Sequence, residues 1–182
     1  MLEAGFQNED RATRWYAFSA ISNLNRRETF DLVLRGLAHA DYGIRHSAVY
    51  AIKSLARNAD LLDRAIEGLK EMFRKERQSW DNRLAAAWAL ADLGVPINPL
   101  VFIHALKNDG VDHRVCALAL EKLKPKEAVE ILLDAFELAD TWNAWEFCGA
   151  LQAITGQDLG RHPAPWREWF EANRASLPAQ WT

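Results

Sequence analysis

Few residues in this chain are placed for covalent or metal chemistry. Cys116 and Cys148, its only cysteines, fall inside apolar helical stretches where any small hydrophobe would serve, and they read as reduced core thiols. There is no Cys-x-x-Cys, and His39, His46, His104, His113 and His162 show no ligand spacing, so neither a metal site nor a cofactor is expected. The chain has no Gly-x-Ser-x-Gly elbow, phosphate loop or His-Glu-x-x-His pair. His46 and Tyr50, at i and i+4, read as a helix-surface pair rather than a catalytic couple. No catalytic residue follows from this reading, and the chain is expected not to be an enzyme. The chemistry that remains is recognition, for which the sequence carries eight tryptophans, a residue type enriched at interface hot spots.

Those aromatics need a scaffold, and the sequence supplies it as a repeat. With Arg14, Arg45, Arg83, His113 and Ala144 as reference positions, the steps are 31, 38, 30 and 31 residues. Three residues after each reference stand Ala17, Ala48, Ala86, Cys116 and Phe147; six after, alanine in all five, at 20, 51, 89, 119 and 150. Seven and ten after, the residues are Ile or Leu throughout. Offsets of three, six or seven, and ten mark one face of an α-helix. A column of alanine between large aliphatics lets neighbouring helices approach closely. Asp10, Asp41, Ser79, Asp109 and Asp140, four residues before the references, are expected to cap the starts of these helices. A preceding helix is marked by Leu2 and Phe6, Val33 and Leu37, Val101 with Ala105 and Leu106, and Leu132 and Phe136. The longer step holds a longer first helix, about Leu61 to Lys75, with a charged extension at Arg74-Lys75-Glu76-Arg77.

The second helix of these units, best seen in Asp41-Tyr42-Gly43-Ile44-Arg45-His46-Ser47-Ala48-Val49-Tyr50-Ala51-Ile52, resembles that of the HEAT family. His113 and Ala144 depart from its arginine. The resemblance covers nearly the whole chain and implies an all-α fold. That fold is a right-handed α-solenoid of about five helical hairpins, at about 1–25, 26–57, 58–94, 95–124 and 125–155, in a single domain over 1–182. The segment 156–182 closes the series as a cap. Gly156 can end a helix in the left-handed conformation, Gly160 permits a reversal, and Pro163 suits the first turn of a new helix. Trp166, Trp169 and Phe170 then give that helix a large apolar face, as the terminal unit of a solenoid requires. At the other end, the first helix of the first repeat can only be a short stub. Either it folds over Trp15, Tyr16 and Phe18 through Leu2 and Phe6, or that end is a homodimer contact or a junction with a further segment.

In such solenoids the second helices line the concave side, where offsets one, five and eight from each reference are left over from the core. The occupants that suit binding are Trp15, His46, Tyr50, Lys53, Leu84, Trp88, Arg114, Leu118 and Trp145. A solvated face would be mostly Lys, Glu and Ser; this one offers aromatic, aliphatic and Arg side chains. The same residues could equally pack between repeats as core. Trp80 and Trp142, in the turns, are expected to cover repeat edges.

With 49% hydrophobic and 26% charged residues the chain can bury a core and stay soluble. Its net charge of -3 and pI near 6.0 provide no global field toward nucleic acid or an anionic membrane. No apolar run reaches signal-peptide or membrane-span length, so a cytoplasmic location is the expectation. The leading functional reading is a protein-binding scaffold or adaptor whose partner is another protein or a peptide segment. The alternatives implied by the resemblance are a nucleic-acid-binding or DNA-glycosylase-like protein, and a lyase-type accessory protein. The concave Lys53 and Arg114, set against Glu121, form no basic stripe that would favour nucleic acid.

Overall fold

The computed structural model describes residues 10–24, 27–56, 59–74, 80–108, 110–139 and 144–177. Every regular element among them is helical, and the chain forms two compact units, Met1–Val95 and Pro96–Thr182. The first unit holds α1 (Arg11–Leu24), α2 (Phe30–Gly36), α3 (Tyr42–Leu55), α4 (Ala59–Arg74) and α5 (Trp80–Asp92). The second holds α6 (Leu100–Ala105), α7 (His113–Leu123), α8 (Val129–Leu138), α9 (Ala144–Thr155) and α10 (Pro163–Asn173). None of these helices is long and apolar enough to cross a membrane.

The hairpins follow the sequence columns. In the first unit α2 pairs with α3 and α4 with α5, while the second helices stack in order, α1 on α3 and α3 on α5. Pairing in the second unit is α6 with α7 and α8 with α9, and α7 packs extensively on α9. The alanine columns lie at these contacts: Ala48, Ala51, Ala86, Ala89, Ala119 and Ala150 are all buried. In α1, by contrast, Ala17 is half-buried and Ala20 exposed; the stub expected to fold over Trp15, Tyr16 and Phe18 through Leu2 and Phe6 lies outside the described residues. Close approach is strictest at Gly36, where an added Cβ would sit 2.7 Å from Phe18 Cε2 and 3.0 Å from the Ala48 Cβ. Three helices meet there because one of them has no side chain.

Helix ends show how the local sequence sets the boundaries. Asp10 Oδ2 accepts hydrogen bonds from the Thr13 amide at 2.8 Å and the Thr13 hydroxyl at 2.6 Å, which hold its carboxyl below the usual range. At α7 the cap is Asp112, whose side chain accepts from the Arg114 amide at 3.1 Å, three residues later than the position expected at Asp109. Asp109, Ser79 and Asp140 lie outside the described residues. Gly156 ends α9 at φ +75° and Gly160 turns the chain at φ +77°, as their positions demand. The reversal delivers Pro163 to the first turn of α10, whose Trp166 and Phe170 are buried against α8 while Trp169 is half-buried.

Ion pairs tie successive repeats together. Arg14 Nη2 reaches Asp41 at 2.9 Å, and Arg45 donates to the His39 and Ala40 carbonyls and stands 3.8 Å from Asp81. At Arg83 the pattern stops: its Nε donates to the Phe73 carbonyl at 3.0 Å and its guanidinium lies over the Trp80 ring. Trp80 opens α5 rather than lying in a turn and is half exposed, and Trp142 lies outside the described residues.

Candidate binding surface

The nine residues expected on the concave face meet different fates. The side chains of Trp15, His46, Tyr50 and Lys53 lie outside the described residues. Leu84 and Trp88 are corrected from surface to interior, at 0% and 3% exposed. Helix α5 is buried all round from Leu84 to Ala91, because alanines on every side of it leave room for close neighbours. Arg114 is half-buried, and its Nε and Nη2 both donate to Glu146 Oε1, at 3.0 and 2.7 Å. It links α7 to α9, replacing at offset one the arginine ties that the first unit makes at the reference position. Glu121 and Gly149 also face one another: a Cβ on Gly149 would lie 3.3 Å from Glu121 Oε2. Leu118 is half-buried. In the second unit, then, these offsets mostly serve the contact between repeats.

Trp145 is different. It opens α9 and is 59% exposed, although large aromatics are usually covered. The guanidinium carbon of Arg161 lies 3.5 Å from the centre of its ring, a close cation–π stack. Beside this pair is a groove of about 310 Å³ lined by Phe136, Glu137, Ala139, Ala144, Trp145, Arg161, His162 and Pro163. Its walls are the last turn of α8, the first turn of α9 and the residues that lead into α10.

Each wall is fixed by something behind it. Phe136 is buried and stacks on Phe147, ring centres 5.9 Å apart and planes 7° from parallel. Glu137 accepts from Arg167 Nε at 2.8 Å, and Arg167 also reaches Asp134 at 2.8 Å. The hydrogen bond to Glu137, with Asp134 adding to it, raises the Arg167 pKa further, so this arginine is charged at any working pH. The loop carrying Arg161 is anchored through the Gly160 carbonyl, which accepts from Trp166 Nε1 at 2.8 Å and from Cys148 Sγ at 3.3 Å.

Burial pushes the Cys148 thiol up from its ordinary value of 9.0, with Arg161 pulling weakly the other way. A group raised on folding stabilises the fold below its unfolded value and loses that contribution as pH rises through the folded one. Cys148 is therefore expected to stay protonated at pH 8 and to react with a thiol reagent only slowly in the folded protein. Stopped-flow measurement with and without urea checks this, and equal rates in the two states would contradict the buried placement.

Of the groove residues, the concave-face reading singled out Trp145 alone. Arg161 and His162 lay between Gly160 and Pro163, in a stretch where only the turn formers drew attention. The available signal was a pair of basic or aromatic side chains at the mouth of a helix start, where loops commonly carry function. Among the described residues no group of three His, Cys, Asp or Glu stands together as a metal site would require. A family model described as HEAT repeats matches residues 1–91, half of the 182-residue chain. No curated protein matches the chain.

Proposed function

The chain belongs to the HEAT-repeat family, whose members commonly serve as protein-interaction scaffolds, and from that premise we propose that it is a non-enzymatic adaptor holding a segment of another protein. The observation that carries this reading is Trp145, exposed yet fixed in orientation by Arg161 beside an apolar-walled groove. Exposing an indole to water forfeits its burial, while a partner that covers it gains both area and a pre-ordered ring. The described lining is largely apolar, with Phe136, Ala139, Ala144, Trp145 and Pro163, which suits recognition of a side chain. The expected setting is the cytoplasm.

The reading departs from a concave face lined throughout by aromatics. Leu84 and Trp88 are interior and Arg114 is committed to Glu146, so the surface is proposed at the mouth of α9 and α10. The test is a pull-down from lysate at physiological salt, comparing wild type with Trp145→Ala after both are shown equally helical and stable. Retention of a specific protein is expected to fall at least about 30-fold, the scale of a tryptophan hot spot. Identical protein bands from both forms would remove Trp145 from the interface. Nuclease-sensitive nucleic acid recovered with both would favour nucleic-acid binding instead.

A further inference from the structure

Resting on the reading that this surface holds a protein segment, we propose that the groove beside Trp145 selects an acidic one. It seats a large apolar side chain in the cleft and a neighbouring Asp or Glu carboxylate on Arg161.

The charge at the groove is uneven in a way that decides the sign of its occupant. Of the charged side chains lining it, Glu137 shares the Arg167 guanidinium with Asp134, each at 2.8 Å, so that carboxylate is engaged by a cation on α10. Arg161 has no carboxylate within ion-pair distance among the described residues; its close neighbour is the face of Trp145. An indole stacked on a guanidinium uses only the face of that ion. Its N–H donors lie in the plane and point outward, where a carboxylate can accept two of them at once. Because the stack holds the plane in place, little ordering remains to be done on binding. The whole chain carries a net charge of -3, so this cation is a local feature that reads a contact at short range.

The rest of the lining sets the second requirement. Phe136, Ala139, Ala144, Trp145 and Pro163 offer apolar surface, and about 310 Å³ stands at the small end of ligand pockets, enough for one large side chain. A segment carrying Lys or Arg at the same place would meet Arg161 and be repelled. An apolar anchor with an adjacent carboxylate satisfies both surfaces.

The experiment is a selection from a phage-displayed library of random twelve-residue peptides on immobilised full-length protein, in parallel on Arg161→Gln, Arg161→Lys and Trp145→Ala. All three variants change exposed side chains, and circular dichroism confirms that their helicity matches wild type. Wild type is expected to enrich peptides with Asp or Glu beside Leu, Ile, Phe, Trp or Met. Synthetic copies are expected to bind Arg161→Gln roughly tenfold to a hundredfold more weakly, Arg161→Lys to an intermediate degree, and Trp145→Ala not measurably. Replacing their acids with Asn or Gln should reproduce the loss seen with Arg161→Gln. Enriched peptides that depend on Trp145 but carry no carboxylate, or bind Arg161→Gln unchanged, overturn the acidic selection and leave the protein-binding reading standing. No enrichment above a bare surface overturns both. A concentration-dependent dimer that Trp145→Ala abolishes would assign the groove to a second copy and overturn this proposal.

Discussion

Replacing Trp166 by alanine is expected to lower the unfolding free energy by about 3–5 kcal/mol. The side chain is 1% exposed and is among the largest fully buried groups in the molecule. It lies on α10, which packs against α8, so its removal opens a cavity at the contact that closes the end of the second unit. It also deprives the Gly160 carbonyl of the 2.8 Å bond from Nε1, leaving, among the described residues, the weaker Cys148 thiol donor on that oxygen. The two losses can be separated. Trp166→Phe keeps most of the apolar area and should cost only about 1–2 kcal/mol, chiefly the lost bond. Urea denaturation followed by circular dichroism measures both, and an alanine variant within about 1 kcal/mol of wild type would show that the cap is an ornament on the fold. Because the same carbonyl holds the loop that carries Arg161, the alanine variant should also weaken the binding of acidic peptides.

The elements were legible in the sequence because helix packing leaves a periodic record. Alanine at five equivalent positions, with aliphatics one and four residues on, names the buried face of each second helix. Four of those five alanines are buried. The cap was legible for a similar reason: Gly156, Gly160 and Pro163 each require a particular backbone geometry, and the tryptophans that follow share one face. Exposure at the remaining offsets was not legible, as three residues at offset one demonstrate. Leu84 is interior because alanine-rich α5 admits close neighbours. Arg114 reaches across to Glu146 on the next second helix. Trp145 remains outside, its ring crossed by Arg161, which the loop after Gly160 delivers. Which of these happens depends on the spacing between helices and on what a distant loop brings, and a local period carries neither quantity. The groove was hidden for the same reason, for its walls come from three elements and its key cation from a turn.

Phe147→Ala is expected to cost about 3–5 kcal/mol, whereas Trp145→Ala, two residues away on α9, should cost about 0.5 kcal/mol or less. Two residues turn an α-helix by roughly 200°, so one ring faces the interior and the other the solvent. Phe147 is 1% exposed and lies parallel to Phe136 at 5.9 Å, whereas Trp145 is 59% exposed. For a chain of this size a loss of that scale lowers the melting temperature by roughly 6–20 °C, easily followed by circular dichroism. Binding should separate the two variants in another way. Trp145→Ala removes the recognition surface and leaves stability nearly intact, so affinity falls alone. Phe147→Ala withdraws the support behind Phe136, a wall of the groove, so affinity and stability fall together. Phe147→Leu, which retains most of the volume, should recover the larger part of both. Equal melting temperatures for the two alanine variants would mean that α9 presents a different face to its neighbours. The groove and the functional reading built on it would then have to be abandoned together.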